Sequence, residues 1–167
     1  MRTIKVIVTI LFISSLTYSC QKDKKDLFNV KISEKEGKLQ MNYSPGLEFK
    51  MVGLDSMAIL HNETDYQRML SGDIKIAPPI FKSDDFTVRV YTRSSFESGF
   101  FRHGFLIRTF TNDGEIKDER VLASTLGELN CEGKVTGDLK IISFCPDGEK
   151  TIAQIQNDGS IKLIENE

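Results

Sequence analysis

The chain has 167 residues, with 22 basic and 24 acidic side chains and a formal charge of −2. That balance offers no basic footprint for nucleic acid, which calls for clustered Lys and Arg. A hydrophobic share of 40% with 28% charged residues is a globular composition and excludes wholesale disorder.

The first 19 residues read as a secretory signal. Arg2 and Lys5 precede any acid, Val6 to Ile13 form a short apolar core, and small residues lead to Ser19. A membrane-spanning helix needs about 20 apolar residues, and this core is far shorter. The segment ends in "SSLTYSC" and then breaks into "QKDKKD". It resembles the signal of bacterial lipoproteins, in the loose form of Bacteroides-like bacteria, with Leu16, Thr17, Tyr18 and Ser19 leading to the cysteine. The resemblance covers the leader alone. It implies cleavage before Cys20, acylation of Cys20, and a membrane partner reached through that lipid. Residues 20–27 then act as a charged tether too hydrophilic to pack. Loss of Arg2 and Lys5 moves the net charge from −2 to −4. The expected address is the bacterial cell envelope, with the outer membrane favoured. Residues 28–167 are left as one ordinary domain.

Within that domain, KLQMNY and EFKMV alternate in polarity and bracket Ser44-Pro45-Gly46, a hairpin candidate. SMAIL at 56–60 reads as a short buried strand. HNETDYQRMLSG follows, with Asn62 or Thr64 to cap a helix, Glu63 and Asp65 at its positive end, and Gly72 to stop it. One short helix is expected near 63–71. IAPPIF at 76–81 must be extended, because its two prolines forbid helix. Asp84 and Asp85 mark a turn, and FTVRVYT at 86–92 alternates as a strand. FESGFFRHG at 96–104 looks like an irregular loop rich in aromatics.

The C-terminal half is a run of β-type segments separated by Asn-Asp-Gly or Pro-Asp-Gly turns at 112–114, 146–148 and 157–159. "TNDGEIK" at 111–117 returns as "QNDGSIK" 45 residues later. That spacing suits a propeller blade, but the chain is too short for four, and two similar hairpin turns in one sheet explain the echo. The fold class is mainly β, with α+β as the alternative. An antiparallel meander is expected, either a sandwich or an open barrel.

Cys131 and Cys145 flank "EGKVTGDLKIISF". A hairpin turning near Gly137 places them opposite one another, and export would favour a disulfide. A metal pair lacks ligands, because His61 and His103 have no ligand spacing to either cysteine. The acids Asp113, Glu115, Asp118 and Glu119 fall short of a calcium loop. No cofactor or metal is expected.

Ser94, Ser95 and Ser98 lie near His103, but no nucleophile elbow is present. Phe96, Phe100, Phe101, Arg102 and His103 form the candidate binding surface, since aromatics and Arg are enriched at binding hot spots. The expected function is a lipid-anchored, non-catalytic binding or scaffold domain, with another envelope protein as its candidate partner. The alternatives are an envelope hydrolase using His103 and an inhibitor or immunity-type protein.

Overall fold

The computed structural model describes residues 25–36, 38–52, 73–97, 100–125 and 130–166. They form strands β1 (Phe28–Lys35), β2 (Lys38–Ser44), β3 (Lys50–Met51), β4 (Asp73–Ile76), β5 (Phe81–Lys82) and β6 (Phe86–Glu97). After these come β7 (Phe100–Thr111), β8 (Ile116–Ser124), β9 (Glu132–Val135), β10 (Lys140–Phe144), β11 (Lys150–Ile155) and β12 (Ile161–Asn166). The fold is mainly β, and there is no helix among the described residues. The short helix expected near 63–71 and the strand expected at 56–60 lie outside them.

Two antiparallel sheets form, and neither closes into a barrel. The first runs β12-β11-β10-β9-β1-β2 and the second β3-β4-β6-β7-β8, with β5 beside β6. Their facing sides share one core: Phe28, Val30, Val135, Ile141 and Ile155 meet Phe86, Val88, Val90, Ile107 and Leu122. Each such side chain contributes about 1.5–3 kcal/mol on full burial. The result is a sandwich. The second sheet also buries its other side, where Val52, Ile74, Tyr91, Leu106 and Phe110 cluster. Alternation in β6 and β7 therefore separates two apolar faces, where a half-exposed strand would set an apolar face against a wet one.

The C-terminal meander is present as β9 to β12. Its three turns and the turn joining β7 to β8 share one geometry, in which a residue with positive φ closes the hairpin. Glycines 114, 148 and 159 hold three of those positions, at φ 88°, 92° and 85°. The fourth is held by Leu139 at φ 65°, two residues beyond the expected Gly137. The echoed turns lie in different sheets, contrary to expectation: 111–115 joins β7 to β8, and 156–160 joins β11 to β12.

Two further expectations are corrected. No hairpin forms about Ser44-Pro45-Gly46; β2 belongs to the first sheet and β3 to the second, so the chain crosses between sheets there. The hairpin is instead β1–β2, with Lys35 opposite Lys38. Residues 96–97 and 100–104 are strand and not an irregular loop, because β6 and β7 stay in register through Phe96–Phe101 and Glu97–Phe100. Leu27, the last residue of the expected tether, donates its N–H to Val135 O at 2.8 Å and packs on the core.

Candidate functional site

The inward positions of β6 change character along the strand. Phe86, Val88 and Val90 are buried, and the next two inward residues are Thr92 and Ser94. On the paired strands the same side carries Lys75, opposite Thr92, and His103, opposite Ser94. This switch marks where the first sheet ends. The second sheet continues past β2, and its polar inward residues line a cleft of about 720 Å³. Leu39 to Tyr43 of β2 form one wall, Leu47 to Phe49 close an end, and Lys75, Thr92, Ser94, His103 and Phe105 form the floor.

The apolar end of the cleft is a cluster of four rings. Tyr43 lies 5.3 Å from Phe49 and 5.7 Å from Phe105, centroid to centroid, and Phe28 lies 5.9 Å from both Tyr43 and Phe105. Pairs at such distances add about 0.5–1.5 kcal/mol each beyond burial. Tyr43 remains 39% exposed, so the cluster presents a ring to whatever enters.

The polar end is built around His103. Its Nδ1 hydrogen-bonds Ser94 Oγ at 2.9 Å. Its backbone is clamped by Thr125: His103 N donates to Thr125 Oγ1 at 2.9 Å, and Thr125 N donates to His103 O at 2.8 Å. Burial, and then the nearby Lys75 ammonium, hold the imidazole below its usual pKa. The neutral ring can accept from Ser94 or donate to it, according to tautomer. Glu48 is the carboxylate of the lining and faces Lys50 at 4.0 Å.

The arrangement suits hydrogen bonding better than nucleophilic attack. A serine nucleophile needs a base that is itself oriented, commonly by an acid. Among the described residues no carboxylate hydrogen-bonds the His103 ring, and no group of His, Cys, Asp and Glu is placed to hold a metal.

The surface expected from sequence is divided. His103 points into the cleft. Arg102, its neighbour in β7, donates Nη1 to Thr125 O at 3.1 Å and serves the junction with β8. The side chains of Phe96, Phe100 and Phe101 lie outside the described structure. Lys75, Thr92, Tyr43 and Phe49 went unnoticed in the sequence. The signal that could have found them is the apolar-to-polar switch in FTVRVYTRS.

Cys131 and Cys145 are joined as a disulfide, with Cα atoms 4.2 Å apart. The neighbouring register, Glu132 opposite Phe144, puts them across from each other at the end of β9 and β10. No family model, curated protein or solved structure matches the chain.

Proposed function

We propose that this protein is a lipid-anchored binding domain of the bacterial envelope, non-catalytic, with the cleft beside β2 as its site. The carrying observation is the polar floor of Lys75, Thr92, Ser94 and His103, which continues past the edge of the first sheet and faces an exposed aromatic ring. Binding sites characteristically combine apolar walls with a few convergent polar groups. The Cys131–Cys145 bridge suits an oxidising compartment, and the leader with Cys20 suits attachment by lipid. In cells, a photo-reactive diazirine amino acid in place of Thr92 should give discrete cross-linked adducts. The same group in place of Lys162, on β12, should not. Equal patterns from both positions would overturn the cleft as the site. Cys20→Ala should abolish incorporation of radioactive fatty acid, and persistent labelling would remove the anchor.

A second reading, an envelope hydrolase, is favoured by the 2.9 Å contact between Ser94 and His103. It predicts that a fluorophosphonate probe labels Ser94 and that His103→Ala abolishes the labelling. Under the binding reading Ser94 stays unlabelled.

A further inference from the structure

One wall of the cleft is the outer edge of β2, and the hydrogen-bonding capacity of that edge identifies the kind of ligand. Among the described residues β2 pairs with β1 alone and ends its sheet. The β1–β2 turn has two residues between Lys35 and Lys38, so that closing pair exchanges both ladder bonds. Ladder bonds then recur at Ser33–Gln40, Lys31–Asn42 and Asn29–Ser44. The alternate residues Leu39, Met41 and Tyr43 turn their N–H and C=O groups away from β1. Ile32, opposite Met41, confirms the phase: its N–H points off the other side of β1 and donates to Glu132 Oε1 at 2.7 Å.

Edges of this kind invite another strand unless something blunts them. The other edges are blunted. β3 has two residues. β8 carries two register shifts against β7, and β12 is shifted against β11. β2 has seven residues, no proline and no shift, and its one charged residue is Lys38 at the start.

A second copy of the chain does not fit this edge. The second sheet extends beneath the place a new strand would take. In a dimer paired β2 to β2, each molecule's second sheet would need the space that the other's already fills. A single extended segment fits. Its backbone would meet the outward groups of Leu39, Met41 and Tyr43. Its inward side chains would fall alternately near the Tyr43 ring and the Lys75–His103 end. Among the described residues Lys75 makes no ion pair, so an acidic group on the incoming segment would supply its counter-charge.

We propose that an extended polypeptide segment of a partner protein, carrying an apolar side chain and a carboxylate, adds as a strand to the outer edge of β2 and fills the cleft. This rests on the cleft being the binding site, and extends it by naming the ligand class and the mode.

The test uses the purified full chain and a phage-displayed library of random linear decapeptides. Selected peptides should slow hydrogen exchange at the amides of Leu39, Met41 and Tyr43 by at least about tenfold. Methylation of successive peptide nitrogens should weaken binding about tenfold at every second position and little between. That scan leaves the protein untouched. Met41→Pro, which removes an outward N–H that β1 does not use, should weaken binding by a similar factor, because an edge tolerates proline there. Lys75→Met should weaken acidic peptides several-fold and leave their neutral analogues unchanged. A library that yields no binder, or a flat methylation scan with unchanged exchange, overturns strand addition. If adducts from position 92 persist in that case, the cleft still binds, by another mode; if they are absent too, both ideas fall.

Discussion

Arg108 of β7 and Glu119 of β8 face each other in register and share one carboxylate oxygen: Arg108 Nη2 and Nε lie 2.7 and 2.8 Å from Glu119 Oε2. The Arg108 side chain is 2% exposed and the Glu119 side chain 37%. The guanidinium also sits 4.7 Å from the Tyr91 ring centre, within the second apolar cluster. A buried cation that loses its anion is costly, whereas an apolar replacement of the cation is commonly tolerated. Glu119→Ala should therefore destabilise by about 2–3 kcal/mol, below the usual cost for a fully buried pair because Glu119 is partly wet. Arg108→Met should cost less than about 1.5 kcal/mol. Urea unfolding of both variants checks the order, and a larger loss for Arg108→Met would refute it.

The disulfide closes the β9–β10 hairpin across a sequence separation of 14 residues. In the chain-entropy account a loop of this size contributes about 3 kcal/mol through the unfolded state. Reduction, or the double change Cys131→Ser with Cys145→Ser, should lower the urea midpoint accordingly and leave the β-sheet circular dichroism intact at low urea. An unchanged midpoint on reduction would show that the bridge adds no stability.

The fold class was readable because strands announce themselves by alternation and turns by Gly, Asn and Asp. The β9–β12 meander and the cysteine pairing followed from these local signals. Partnering between distant strands did not. Nothing local tells β1 that it must sit beside β9, and Ser44-Pro45-Gly46 reads alike as a hairpin turn and as a crossing between sheets. FESGFFRHG looked irregular because both faces of β6 and β7 carry large side chains, which erases the apolar–polar alternation. Of the site, His103 was visible as an isolated histidine among aromatics. Lys75 and Tyr43 were not, because the cleft exists only where one sheet outruns the other, and that offset is set by packing.

Gly133 of β9 sits where the two sheets touch. A Cβ at this position would lie 2.1 Å from Leu122 O and 2.9 Å from its carbonyl carbon, both backbone atoms of β8. Ser143, opposite Gly133 in β10, donates its hydroxyl to the same Leu122 O at 2.8 Å. Any side chain must push β8 away, breaking that bond and straining the bridge between Ser124 and Cys131. Gly133→Ala should cost about 2–3 kcal/mol, in the range of core overpacking. Ser143→Ala, which leaves an acceptor unpaired without a clash, should cost about 1–2 kcal/mol. Thermal and urea unfolding measure both, and a Gly133→Ala protein as stable as the parent would show that the sheets do not approach this closely.

His103 gives the fold a pH dependence with a definite sign. Its folded pKa is lowered, first by burial and then by Lys75, whereas an unfolded histidine titrates near about 6.5. Above that pH both states hold a neutral ring, and the full stability is present. As pH falls below it, the unfolded chain takes up the proton first, so stability declines until the folded ring is protonated as well. The parent should therefore lose more stability between pH 7.5 and 5 than His103→Gln, which lacks the titrating ring. Lys75→Met removes the second cause, so the imidazole should titrate at higher pH, still below the unfolded value because burial remains. Proton NMR of the His103 ring reads this directly. A ring that titrates at the unfolded value in the parent, or ignores the loss of Lys75, would place His103 outside the cleft.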